Sequence, residues 1–173
     1  MTFPRKRIRL PAASYLGFRR YFLTFCCFER RACFLREDFN QYFVGKLREH
    51  AAAHQFSVPA YCLMPDHIHL LVEALAVNCN LAPFVKALKQ TTGFAFERQT
   101  GERLWQRYYC DHVLRPKDDP KGVAWYIWLN PVRAGLCEEA KEYRFLGSLT
   151  GLWPPGARPD LIWVPPKREN AST

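Results

Sequence analysis

His67-Ile68-His69 is the pair of side chains in this sequence best spaced to do chemistry together. In a strand, side chains alternate, so the two imidazoles project from one face while Ile68, Leu70 and Val72 take the other. Two neutral imidazoles a dyad apart can bind one divalent ion side by side. The same spacing also arises as two unrelated surface histidines on a half-buried strand, and a bare His-x-His does not separate these readings. Two histidines leave an ion short of ligands. Tyr126 and Asn130 lie four apart in a predicted helix and share one of its faces. An amide oxygen from Asn130 can complete a hard-metal site, with Tyr126 one turn earlier beside it. Equally, Tyr126 reads as a packed aromatic and Asn130 as a helix C-terminal cap. Tyr108 and Tyr109 compete as nucleophiles, although Trp105-Gln-Arg-Tyr-Tyr-Cys110 reads as a loop entering a strand.

The elements that must position these groups follow from periodicity and turn chemistry. The aromatic run 21–28 reads as a first strand. Residues 36–54 read as a helix, with Phe39, Phe43, Leu47 and Ala51 on one face and Glu37 and Asp38 in its first turn. Runs 56–63 and 67–72 are two strands joined by Met64-Pro65-Asp66, a hairpin. Residues 81–99 form a second helix with Phe84, Leu88 and Ala95 on its apolar side and Gly101 beyond its end. Residues 111–115 make a fourth strand closed by Pro116. Residues 118–130 make a third helix, stopped by Pro131, with Trp125, Trp128 and Leu129 anchoring it to the sheet. The order β-α-β-β-α-β with an appended helix predicts an α+β, ferredoxin-like (RRM-like) antiparallel sheet. Such a fold hosts many functions and decides none.

Composition narrows the class. The chain has 173 residues, 49% of them hydrophobic, enough for one domain with a real core. It contains no run of the roughly 20 apolar residues that a membrane span needs. The basic start lacks the apolar region of a secretory signal. Seven cysteines without a Cys-x-x-Cys spacing disfavour a disulfide framework and a cysteine zinc site, and point to a reduced, cytoplasmic setting. The formal charge is +9, and it is uneven. Residues 1–31 carry eight basic side chains (Arg5, Lys6, Arg7, Arg9, Arg19, Arg20, Arg30 and Arg31) against Glu29 alone, giving +7. The rest carries 17 basic and 15 acidic residues, giving +2. A basic arm ahead of a near-neutral body suits a polyanion, nucleic acid before a membrane surface; it also suits a solvated, solubilising tail. The expected organisation is an N-terminal arm over 1–14, a domain over 15–148 and a proline-rich tail over 149–173.

The motifs carry a resemblance. Met64-Pro-Asp-His-Ile-His-Leu-Leu-Val72 resembles the His-hydrophobic-His motif of the HUH single-tyrosine transposases. Trp105-Gln-Arg-Tyr-Tyr-Cys-Asp-His-Val-Leu-Arg115 and Tyr126-Ile-Trp-Leu-Asn-Pro-Val-Arg-Ala-Gly-Leu136 resemble two further blocks of one branch, the REP-associated tyrosine transposases of bacteria. Arg19-Arg-Tyr-Phe-Leu-Thr-Phe-Cys26 resembles that branch's opening strand, and Glu142-Tyr-Arg-Phe-Leu-Gly-Ser148 its closing segment. Blocks in one order over residues 15–148 are far more specific than any one of them.

The resemblance implies roles at the matching positions. His67 and His69 would be metal ligands, Asn130 the third ligand and Tyr126 the nucleophile. The reaction implied is cutting and joining of single-stranded DNA at palindromic hairpins with Mg²⁺ or Mn²⁺, through a 5′-phosphotyrosine. A bound divalent ion makes phosphorus more electrophilic, which a weakly nucleophilic phenol needs. Trp105, Tyr108 and Tyr109 are candidates to stack bases, and Arg107 and Arg115 to meet phosphates, together with the arm residues and Arg19 and Arg20. The expected partner is single-stranded or hairpin DNA in a bacterial, nucleoid-associated setting, without a membrane. A homodimer stays open, since related transposases include dimers that share helices. The alternative is a non-catalytic DNA- or RNA-binding regulator on the same scaffold. A water-using two-histidine-motif phosphodiesterase would need a second His-x-Ser/Thr, which the sequence does not contain.

Overall fold

The structure is a computed structural model that describes residues 12–151 and 163–166. Its elements run β1 (Arg20–Cys26), α1 (Glu37–Ala53), β2 (Phe56–Met64), β3 (His67–Ala74), α2 (Leu81–Thr100), β4 (Cys110–Val113), α3 (Pro120–Trp128), α4 (Asn130–Arg133) and β5 (Leu146–Gly147). The mixed α+β class and the antiparallel sheet are as the sequence predicts. The five strands lie in the order β4-β1-β3-β2-β5, and every pairing is antiparallel.

Period-two alternation divides the sheet into two faces. Tyr21, Leu23 and Phe25 of β1 join Ile68, Leu70 and Val72 of β3 in one core. The α1 stripe Phe39, Phe43, Leu47 and Ala51 closes over them, with Phe84, Leu88 and Phe96 of α2. On the opposite face, Phe22 and Leu71 meet Val123, Ala124, Ile127 and Trp128 of α3. Cross-strand register on that second face pairs Phe22 with Leu71, Thr24 with His69 and Cys26 with His67. Both histidines therefore lie on the α3 side, with Ile68 and Leu70 facing α1 and α2.

Several boundaries differ from expectation, each for a local reason. β1 ends at Cys26; Glu29 and Arg30 then adopt φ 54° and 58°, a left-handed turn that breaks the strand. In α2 the apolar stripe continues through Thr92 and Phe96, while Ala95 is half-buried. β4 ends at Val113, before Arg115. Asp119 caps α3, accepting from the backbone N–H groups of Lys121 and Gly122 at 3.1 Å each, which frees Asp118 for other partners. Pro131 does not stop the chain from turning. Leu129 remains in the right-handed helical region, and Pro131 sits in the first turn of α4, where its missing N–H costs nothing. The short β5 was not legible as a strand; the Trp128 indole N–H holds it by donating to the Gly147 carbonyl at 3.0 Å. Pro59 lies inside β2, where the register shifts between Ser57 and Ala60, the irregularity a strand proline requires.

All seven cysteines are free thiols. Among the described residues no helix is long and apolar enough to cross a membrane.

Candidate metal and nucleophile site

Pro65 and Asp66 form the two-residue turn between β2 and β3, and neighbouring backbone fixes it. The Pro65 carbonyl accepts from Phe34 N–H at 3.0 Å, and the Asp66 carbonyl accepts from Cys27 N–H at 2.9 Å. The β1–α1 connection thus buttresses the turn that launches His67. The Asp66 carboxylate pairs with Arg30 at 2.8 Å through one oxygen and reaches His67 Nδ1 at 2.6 Å through the other. Left-handed, non-glycine residues such as Arg30 are strained backbone, and here the strain lies one ion pair away from His67.

His67 and His69 converge. Their Nε2 atoms are 3.1 Å apart and their rings lie 4.7 Å apart, nearly perpendicular. His69 Nδ1 meets Thr24 Oγ1 at 2.9 Å across the β1–β3 pairing. With Nδ1 protons assigned toward Asp66 and Thr24, each ring turns the lone pair of Nε2 toward the other. Two lone pairs at that distance repel unless a proton or a cation is shared between them. Burial pushes the pKa of His67 down, opposed by the hydrogen bond that its Nδ1–H donates to the Asp66 carboxylate. Burial pushes that of His69 down to about 3, helped by the charges of His67, Arg133 and Arg30 and opposed by a hydrogen bond with the Asn130 side chain. Both imidazoles are therefore held neutral at physiological pH, the state that binds metal.

The third group comes from the α3–α4 junction. The Asn130 side-chain amide nitrogen donates to the carbonyls of Tyr126 at 3.0 Å and Ile127 at 3.2 Å. With the nitrogen so used, the amide oxygen is the atom left for His69. Tyr126 lies one turn earlier on the same face, half-buried, its ring 6.4 Å from that of His69 and 5.8 Å from that of Phe22. Trp125 and Trp128 are buried on the other side, as the spacing predicts. His67, His69, Asn130 and Tyr126 are thus neighbours in space.

This donor set fits a hard or borderline divalent cation. Among the described residues no cluster of three or more His, Cys, Asp or Glu is suited to a metal, so a cation here would depend on the amide. Two converging imidazole nitrogens 3.1 Å apart can share one ion at roughly 2.1 Å from each. A neutral amide oxygen beside two imidazoles suits an oxygen- and nitrogen-binding divalent ion rather than a thiolate-preferring one.

The other candidates scatter. Arg5, Lys6, Arg7 and Arg9 lie outside the described residues. Arg19, Arg20 and Arg115 are exposed and line one open cavity of about 400 Å³; Arg20 is paired with Glu73. Arg107 stacks on exposed Tyr108 at 5.4 Å from its centroid, beside Phe28 and Arg103. Trp105 corrects the expectation of a base-stacking platform. It is 5% exposed, its indole N–H donates to Thr92 Oγ1 at 3.0 Å, and it packs on Phe25, Phe34 and Phe43. Tyr109 is likewise turned inward against Phe25.

Sequence reasoning missed Thr24, Asp66, Arg30, Arg133 and Trp163 around this site. Asp66 adjoins His67 and could have been flagged. Thr24 needed the β1–β3 register. Arg133 needed a helical path through Pro131.

The profile of the family described as Transposase IS200 like matches residues 19–127. A Haemophilus influenzae protein named as a REP-associated tyrosine transposase is 29% identical over 136 residues, covering 72% of this chain and 77% of its own length. An uncharacterized protein of the same organism is 25% identical, covering 74% of this chain and 88% of its own. Among solved structures, a REP-associated tyrosine transposase bound to a REP hairpin matches with a TM-score of 0.65 at 20% identity. That match covers 84% of this chain and 82% of the other, a likeness of fold.

Proposed function

The chain belongs to the IS200-like transposase family, and from that premise we propose that it cuts and rejoins single-stranded DNA beside hairpins, with Tyr126 as nucleophile and His67, His69 and Asn130 as the metal-holding set. One observation carries the proposal. The two facing imidazole nitrogens and the Asn130 side chain gather next to the Tyr126 ring, although they come from strands and helices far apart in sequence. Hairpin DNA is the substrate class to test first, since a fold relative carries a REP hairpin.

In this reading the Tyr126 hydroxyl attacks the scissile phosphorus in line, which needs reacting atoms roughly 3–3.5 Å apart. The new Tyr126 Oη–P bond forms as the P–O3′ bond breaks. The phenol proton passes to solvent, and the departing 3′-oxygen leaves as a hydroxyl. The product is a 5′-phosphotyrosine that keeps the phosphodiester energy, so a second 3′-hydroxyl reverses the step and joins strands. A divalent cation, when bound, supplies Lewis acidity toward a nonbridging phosphate oxygen. Asp66 and Thr24 hold the two imidazoles in the ligand tautomer. Asn130 fixes the α3–α4 junction through its amide nitrogen, which leaves its oxygen for a bound cation beside His69. Phe22 stacks on His69 at 5.3 Å and keeps that ring from tilting.

The test is a covalent protein–DNA adduct on a hairpin oligonucleotide with Mn²⁺ or Mg²⁺. Full-strength binding in EDTA without cleavage under either metal would replace this reading with that of a non-catalytic nucleic-acid-binding regulator.

A further inference from the structure

Trp163 occupies a slot with three ring walls. Its centroid lies 5.2 Å from Phe22, 5.6 Å from Tyr126 and 5.6 Å from His112. Its indole N–H donates to Asp118 Oδ1 at 3.2 Å. The other Asp118 oxygen accepts from Arg115 N–H at 2.7 Å and faces His112 Nε2 at 3.4 Å. The Asp118 side chain is only 12% exposed. Burial raises its pKa, but hydrogen bonds from Arg115, His112 and Trp163 outweigh burial and keep it below the usual carboxylate value. Trp163 meets Tyr126 edge-on at 88° and lies tilted to Phe22 and His112 at 58° and 39°. A little-exposed, ionised acceptor thus sits at the edge of a ring-lined slot that Trp163 fills beside the proposed nucleophile. Asp118 also borders the cavity that holds Arg19, Arg20 and Arg115.

An indole is a planar heterocycle with an N–H donor on its edge, and every unpaired nucleobase likewise presents at least one N–H donor on its edge. We propose that the slot between Phe22, His112 and Tyr126 is a nucleobase subsite, in which a base of the single-stranded substrate packs among these rings in place of Trp163 and donates an N–H to Asp118 Oδ1. The inference rests on the reading that the chain handles single-stranded DNA. Guanine, adenine, cytosine and thymine each offer such a donor, so Asp118 selects for a base over bare backbone rather than for one base. The base is seated against Tyr126, which brings its own phosphate close to the nucleophile. The arginines of the adjoining cavity meet the neighbouring phosphates. Trp163 and the base compete for one position, so the Trp163 segment must leave as DNA enters.

The test uses the full chain in EDTA, so that no strand is cut. The probe is a hairpin DNA with single-stranded flanks, with a matched series in which one flanking base at a time is abasic. Trp163→Ala should bind the parent hairpin more tightly, and in that variant one abasic position should weaken binding on the order of ten-fold, as expected of losing one ring packed against aromatic neighbours. Asp118→Ala on the Trp163→Ala background should flatten that positional dependence. Hydrogen exchange on the unaltered chain gives an independent reading, since bound hairpin should speed exchange at the Trp163 and Val164 amides. A Trp163→Ala variant that binds no more tightly and shows a flat abasic series overturns the proposal, as does unchanged exchange at those two amides when DNA is bound. A missing covalent adduct in metal leaves these binding results standing, so the subsite and the tyrosine chemistry fail separately.

Discussion

The guanidinium of Arg133 lies over the ring of Tyr126, its Cζ 4.1 Å from the ring centroid, and its Nη2 donates to the Tyr126 carbonyl at 2.6 Å. One side chain thus anchors the start of the α3–α4 junction and presses a positive charge against the ring that would carry negative charge as attack develops. Arg133→Gln is expected to slow adduct formation on the order of ten-fold, with Arg133→Lys between the two. Single-turnover rates on hairpin DNA check this, with hairpin affinity in EDTA as the control.

Asp66 holds His67 through Nδ1 and is itself held by Arg30. Asp66→Ala is expected to weaken Mn²⁺ binding by about 10- to 100-fold, the usual effect of losing the group that orients a ligating histidine. Calorimetric titration with Mn²⁺ measures it directly. Hairpin binding in EDTA should stay as it is, because no DNA contact is assigned to Asp66.

Trp105 fills the core between β1, α1 and α2, so its loss is a matter of stability. Trp105→Ala should cost roughly 3–5 kcal/mol in urea unfolding. Tyr108→Ala, at a side chain 43% exposed, should change stability little. Equal stability of the two variants would return Trp105 to the surface role that its sequence context suggested.

Lys89 lies half-buried between Phe25 and Tyr109 and donates to the Gln106 carbonyl at 2.8 Å. Burial, helped by the charge of Arg103, lowers its pKa from 10.5 to about 8. Between those values the unfolded chain binds the proton and the folded chain does not, so the Lys89 contribution to stability rises with pH across that window. The stability of the unaltered protein relative to Lys89→Met should therefore increase from pH 8 to 10.5 and level off outside it. Urea melts of both proteins across that range give the comparison.

Legibility followed the range of the interaction. The facing of His67 and His69 was readable because period-two alternation is local, and Pro65-Asp66 marks the turn just before them. The α1 stripe of Phe39, Phe43, Leu47 and Ala51 was readable for the same reason. Helical spacing put Tyr126 and Asn130 on one face, but bringing that face to His69 depends on how α3 crosses the sheet, which no local pattern states; the resemblance of several ordered blocks decided between the candidate ligand and the helix cap. Arg133 was hidden by reading Pro131 as a stop, although a proline in a first helical turn permits continuation. Trp105 and Tyr108 sit in one aromatic run, and nothing in the run says that the first turns in and the second out. Trp163 follows a proline-rich stretch without period, so its return to Phe22 and Tyr126 had no sequence signal.

The covalent adduct itself reports on Tyr126 without intermediaries. The full chain is incubated with hairpin DNA bearing single-stranded flanks and Mn²⁺, then denatured and resolved by gel, beside Tyr126→Phe. With Tyr126 as nucleophile, the adduct maps to a peptide containing Tyr126, needs the metal, and disappears in Tyr126→Phe while hairpin binding persists. An adduct that survives in Tyr126→Phe, or that maps to Tyr108 or Tyr109, would contradict that role.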